Sequence, residues 1–213
     1  MRIAIALVLL TTLAHAGDNE VSVGFSDRAL RTSSANAVTR DSLAGGTLGY
    51  ARGIDVAPLP GLSLRAEGNF AWGEADGVMF QALGTELRTL AFTVGARAVY
   101  ELVPHIVASA RLDVGAARAA LAIRDDAGHS ARDNGWGALT QAALGLDLYA
   151  LYRPRLTLGF RFELGYIATT SIGMTATPDS SSDDTLQLQM TAASLGGLNL
   201  SGPVLAGSFV SQF

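Results

Sequence analysis

Apolar and polar residues alternate along most of this chain with a period of two. Over Leu62–Trp72 one face reads Leu62, Leu64, Ala66, Gly68, Phe70 and Trp72, and the other Ser63, Arg65, Glu67, Asn69 and Ala71. The same arrangement recurs over Leu90–Glu101, Ile106–Ala117, Ala142–Tyr152 and Leu156–Tyr166. In the last of these, Leu156, Leu158, Phe160, Phe162, Leu164 and Tyr166 face away from Thr157, Gly159, Arg161, Glu163 and Gly165. Successive side chains of a strand point to opposite faces, so this period predicts strands with one apolar face. Shorter runs at Glu20–Ser26, Thr47–Val56 and Pro203–Phe213 bring the expected strands to eight.

The joins between these strands alternate in length. Ala57–Gly61, Val103–His105 and Arg153–Arg155 each contain proline and read as tight turns. Arg31–Ser42, Glu74–Leu87, Arg124–Gly137 and Ile172–Ser201 are longer and polar, and read as loops. Tight turns interleaved with long loops put both ends of an even-stranded meander on the side of the turns. The sequence therefore predicts an all-β fold, an eight-stranded antiparallel up-and-down transmembrane β-barrel over residues 17–213. Aromatic residues fall near the expected strand ends at two levels. Phe25, Trp72 and Tyr166 lie toward the loops, and Tyr50, Tyr100, Tyr152 and Phe213 toward the turns. Two such girdles are expected where a barrel wall meets the two faces of a membrane.

Composition agrees with a lipid-facing wall. Hydrophobic residues make up 49% of the 213, and charged residues only 16%, well under the roughly 25% of a soluble domain. No stretch is apolar and long enough for a spanning helix. Residues 1–16 have their own logic. Arg2, the apolar run Ile3–Leu13 and Ala14-His15-Ala16 have the layout of a cleaved secretory signal, which predicts a mature chain beginning at Gly17. Loss of Arg2 with that leader takes the formal charge from −4 to −5. All 15 basic side chains are Arg, and an acidic chain of this kind carries no footprint for nucleic acid. The absence of Cys excludes disulfides and thiolate metal sites.

The leader, the eight alternating runs, the girdles and the terminal Phe213 together resemble the small outer-membrane β-barrel superfamily of OmpA/OmpX type. The resemblance spans the mature chain and concerns architecture; no narrower motif is present. It implies a bacterial outer membrane, lipid around the wall, and a barrel-assembly machinery that reads Phe213 as its signal. Phe209 fits that terminal pattern, whereas Ser211 stands where a second bulky residue is usual. The rival fold is a lipocalin, a soluble barrel whose outer face would be the charged one. Here the polar face is small residues with sparse charge, which suits a narrow lumen.

On that face stand Glu20, Arg65, Glu67, Arg97, Glu101, Arg111, Asp113, Asp147, Arg161 and Glu163. An eight-stranded barrel is just wide enough for side chains to fill it, so these charges are expected to pair across strands as a lumen network. Arg161→Ala is then expected to open a narrow, cation-favouring path. Inward Gly145 is expected to tolerate a small polar residue better than outward Leu146 tolerates Arg. Catalytic chemistry has thin support. His105 sits in a tight turn, and His129-Ser130 beside Asp125-Asp126 is an adjacency in a loop without an assembled triad. Asp125-Asp126 and Asp179–Asp184 lack a regular calcium-ligand spacing. The sequence reading is thus a barrel that is not an enzyme, without cofactor or metal, serving structure, surface contact or slow passage of small solutes. An outer-membrane lipid-modifying enzyme and a soluble carrier are its alternatives.

Overall fold

Eight strands close into a ring in the computed structural model. It describes residues 19–39, 42–54, 61–79, 83–124, 130–153, 156–178 and 193–213. The expected leader and the clusters Asp125–Asp126 and Asp179–Asp184 lie outside these residues. The elements are β1 (Asn19–Arg28), α1 (Ser33–Val38), β2 (Leu43–Ile54), β3 (Leu62–Met79), β4 (Leu83–Val103), β5 (Ile106–Arg124), β6 (Ser130–Arg153), β7 (Leu156–Thr169), β8 (Ile172–Pro178), β9 (Ala193–Leu198) and β10 (Gly202–Gln212). From β1 to β7 each strand pairs antiparallel with the next. β10 then pairs with β7 on one side and β1 on the other, which closes the ring. At the seam the Asn19 amide donates to the Phe213 carbonyl at 3.2 Å, and the Phe213 amide returns a bond of 3.0 Å to the Asn19 carbonyl. No strand of the ring is left with an open edge, the condition for a sheet to stand in lipid.

Facing follows the alternation. Phe25 and Leu144 are each 69% exposed, and Val94, Leu112, Phe162 and Leu164 are more exposed than buried. Such a continuous apolar exterior suits lipid and not water. Trp72 lies flat against the backbone of the neighbouring strand: a Cβ on Gly46 would sit 2.0 Å from its Cζ2. The bare glycine gives the indole its seat, as aromatic residues often cover strand glycines. On the turn side, Gly61 has φ +79°, which its lack of a side chain permits, and His105 has φ +75° in the β4–β5 turn.

Two of the expected loops are strands. Glu74–Met79 with Leu83–Leu87, and Arg124 with Ser130–Gly137, extend the β3–β4 and β5–β6 hairpins, so that β4 has 21 residues and β6 has 24. A tilted strand crosses a bilayer in about 9–11 residues, so these hairpins stand well clear of the membrane on the loop side. The period of two continues there with its polarity reversed. Ala75, Met79, Leu87, Ala119 and Leu121 point inward and are buried. Glu74, Arg88 and Arg124 point outward and are exposed. Water, not lipid, surrounds this part of the wall, so the charged face turns out. The loop Arg31–Ser42 contains α1, and Ile172–Ser201 contains the β8–β9 hairpin, which continues the sheet from β6 through Ala131 and Arg132.

Candidate functional site

The lumen has three levels. On the turn side the inward charges meet in one cluster. Glu20, on β1, is its hub: Oε2 is 2.7 Å from Arg65 Nη1, and Oε1 is 2.6 Å from Arg97 Nη1 and 2.7 Å from Arg161 Nη1. Arg161 grips Asp147 with two parallel bonds, Nε to Oδ1 at 2.7 Å and Nη2 to Oδ2 at 2.5 Å. This fork-to-fork geometry is available to Arg and not to Lys. Arg97 Nη2 also bonds Glu67. Arg111 stands among Glu163 at 3.3 Å, Glu67 at 3.7 Å and Asp113 at 3.7 Å. Below the hub, Gln212 donates to Glu20 at 3.2 Å and to the Tyr149 hydroxyl at 2.5 Å, and that hydroxyl donates to Asp147 at 3.2 Å. Val99 and Val107 pack against Tyr149. The register explains the meeting: Asp147 faces Arg161 across β6–β7, and Arg65 faces Arg97 across β3–β4.

On the loop side the lumen is apolar. Leu30, Ala35, Val38, Leu43, Met79, Leu87, Leu121, Ile172, Met174, Leu198 and Leu200 form one buried cluster. α1 and the β8–β9 hairpin fold over the mouth and supply part of it. Thr32 caps α1, accepting from the Ala35 amide at 3.3 Å while its own hydroxyl donates to the Asn199 carbonyl. The Asn199 amide donates to Ser34 Oγ at 3.0 Å, and Thr39 Oγ1 donates to the Asp76 carbonyl at 2.6 Å. These bonds stitch the loops to each other and to the wall.

Between the two plugs lies a cavity of about 50 Å³. Ser22, Ser26, Thr47, Thr93, Gln141 and Ser208 line its sides, and Arg97, Arg111 and Arg161 border it from the charged cluster. Arg28, at the loop-side end of β1, borders it too.

The charges singled out in the sequence come together, with one correction. Arg65, Glu67, Arg97, Arg111, Asp113, Asp147, Arg161 and Glu163 all belong to the cluster, and Glu20 sits at its centre. Glu101 does not: it shares the inward parity but lies exposed at the turn-side end of β4, past the closed lumen. Gly145 is inward, and a Cβ there would lie 2.5 Å from Ser109 Oγ and 3.3 Å from Glu163 Cγ, so a side chain enters only if the Ser109 hydroxyl turns aside. The structure adds Tyr149 and Gln212 to the network and brings Arg28 into the lumen on its loop side. Tyr149 and Gln212 carry the parity of the polar face, which is the signal that finds them. Phe25, Tyr50, Trp72, Tyr100 and Tyr166 face outward and are exposed. Phe213 is partly exposed, and Tyr152 lies on β6. Trp136, inside a segment read as loop, is a further outward aromatic, 58% exposed. His105 lies on the turn side, away from the loops, and His129 lies outside the described residues. Among the described residues no group of acids and histidines is arranged to hold a metal.

An antiparallel ring with an apolar exterior, aromatic levels and a filled polar lumen defines a small transmembrane β-barrel. No protein-family model matches the chain, and no curated protein matches it in sequence. Solved structures do. The outer membrane protease OmpT of Escherichia coli superposes with TM-score 0.53 at 7% identity, over 92% of this chain and 96% of that one. Ail, the attachment invasion locus protein of Yersinia pestis, gives 0.46 at 12% identity, over 93% and 98%. A major outer membrane protein of Thermus thermophilus gives 0.47 at 10% identity, over 93% and 99%. At 7% identity the likeness to OmpT concerns the fold alone, a closed antiparallel β-barrel.

Proposed function

We propose that this chain is a bacterial outer-membrane barrel with a permanently closed lumen, which serves structure and surface contact and is neither an enzyme nor an open pore. One observation carries this reading. The lumen is closed twice in series, by the Arg–carboxylate cluster around Glu20 and by the apolar plug that α1 and the β8–β9 hairpin complete. Water and ions would have to pass both. The extended hairpins β3–β4 and β5–β6 carry charged outer faces beyond the membrane and offer the surface for contact. Its immediate partners in this reading are outer-membrane lipid around the wall and the assembly machinery that inserts it.

Planar-bilayer recordings test the closure. The refolded barrel is expected to give small and rare openings. The two seals also revise the expectation for Arg161→Ala. That variant loosens the charged cluster but leaves the apolar plug in place, so its conductance stays at the parent's level. Steady openings in the parent, or in Arg161→Ala alone, would overturn the double closure. Lipid A mass profiles from cells with and without the gene bear on the absence of catalysis, with unchanged profiles expected.

Phe213 supplies a separate expectation. It lies at the end of the closing strand and joins β1 through two backbone bonds. Its deletion is expected to lower the amount of protein reaching the outer membrane more than it lowers the midpoint of urea unfolding in vesicles. Fractionation that finds parental levels of the truncated protein would show the residue dispensable for assembly.

A further inference from the structure

Arg28 is buried to 8% exposure inside the barrel and has no carboxylate partner among the described residues. Its Nη1 donates to the Leu200 carbonyl at 3.3 Å, and its Nε has no hydrogen-bond partner. The residues paired with it across the ladder are Leu43 and Val204, both buried and apolar. Asp27, next in the chain, points to the opposite face of β1. A guanidinium stays charged at any ordinary pH, and an isolated charge away from water costs several kcal/mol unless a counter-charge meets it.

The five lumen carboxylates each lie within 4 Å of another arginine of the cluster, Asp113 the most loosely, with Arg111 Nε at 3.7 Å and no hydrogen bond to either oxygen. Glu163 is the acid that borders the same cavity as Arg28, and its Oε1 lies 3.3 Å from Arg111 Nε. What faces Arg28 instead is the cavity between the two plugs. Its walls carry the hydroxyls of Ser22, Ser26, Thr47, Thr93 and Ser208, which can rotate to donate inward, and Arg97 presents a buried Nε with no partner. A cavity rimmed by cations and hydroxyl donors, with one engaged acid, has the polarity of an anion site.

We propose that this chamber binds a small inorganic anion, halide or tetrahedral oxyanion, as the counter-ion of Arg28. The volume of about 50 Å³ sets the size of the occupant. One water needs about 10–15 Å³ of such space, so the chamber holds roughly three to five waters or a small ion with part of its shell. A nucleotide or organic acid of many atoms does not fit. The site rests on the fold and the interior alone and stands whether or not the barrel proves to conduct.

The test is refolding into detergent micelles in potassium bromide, in potassium sulfate and in potassium gluconate at matched ionic strength. Gluconate is too bulky for the chamber. Urea midpoints are measured in each, and crystals grown from bromide are examined at the bromine absorption edge. The expected result is one ordered bromide in the chamber beside Arg28 and a midpoint that climbs with bromide. Above the dissociation constant each tenfold rise in free anion makes unfolding tenfold less favourable, about 1.4 kcal/mol. A rise in sulfate alone assigns the oxyanion. Glu163→Gln, which removes the acid beside the chamber, should shift the dependence to lower anion concentration. Arg28→Met should remove the dependence; should that variant fail to refold, Arg28→Lys keeps the cation and should keep the dependence. Equal midpoints of the parent in all three salts, with no bromide signal in the chamber, overturn the proposal.

Discussion

Glu20→Gln is expected to lower the stability of the barrel by about 3–5 kcal/mol, the cost of removing one partner from a buried ion pair. Glu20 holds three guanidinium groups through its two oxygens, and two of these, on Arg97 and Arg161, are as buried as the carboxylate itself. The amide keeps the size of the side chain and removes its charge. Arg65 then loses the carboxylate it meets at 2.7 Å, while Arg97 keeps Glu67 and Arg161 keeps Asp147. The like charges that Glu20 had held together repel. Glu101→Gln is the matched control: the residue is exposed and outside the cluster, so its effect should stay within about 0.5 kcal/mol. Urea titrations in lipid vesicles, followed by tryptophan fluorescence, measure both. Equal midpoints for Glu20→Gln and the parent would mean that the cluster fills space without contributing to stability.

Leu146→Arg is expected to cost about 2–4 kcal/mol, as for a charge near the midplane of a barrel wall. Leu146 faces outward on β6 and pairs with Ala108 on one side and Phe162 on the other, inside the apolar belt. Its chain neighbour Gly145 tests the opposite face. Because a Cβ there collides with Ser109 Oγ, Gly145→Ser should cost about 1–3 kcal/mol by overpacking. The two variants separate by their dependence on lipid. The Leu146→Arg penalty should shrink in thinner bilayers, where the headgroups come within reach of the guanidinium, and the Gly145→Ser penalty should not. A lipid-independent Leu146→Arg would place that face away from lipid, and a shift of one residue in facing reverses every side chain of the strand.

For the five longer runs the side of the wall that each side chain takes could be read from the sequence, because the period of a strand is two and survives any small error in its ends. Strand number and the pairing of neighbours followed from the spacing of turns, since a meander pairs each strand with the next. The same rule explains where the reading stopped short. Glu74–Leu87 still alternates, but with charged residues on the face that had been apolar. A pattern whose phase reverses looks like a loop until the position of the water boundary is known. Trp136 keeps the outward parity of Leu144 and Leu146 but lies in the stretch that reads as loop.

What only the tertiary structure decided lies in the lumen. Nothing in the chain's local pattern signals that Glu20, from the first strand, meets Arg65, Arg97 and Arg161 from three others. Those distances depend on the stagger of the closed ring, which no local pattern encodes. Arg28 shows the limit most plainly. By parity it is one more inward arginine, yet it stands at the far end of β1 from Glu20, against apolar neighbours and a chamber. α1 is only six residues long, and the β8–β9 hairpin turns Ile172, Met174 and Leu198 inward within a polar loop. Neither buries enough surface to hold its shape alone. Each takes its structure from the mouth of the barrel it closes, and that mouth exists only once the ring has formed.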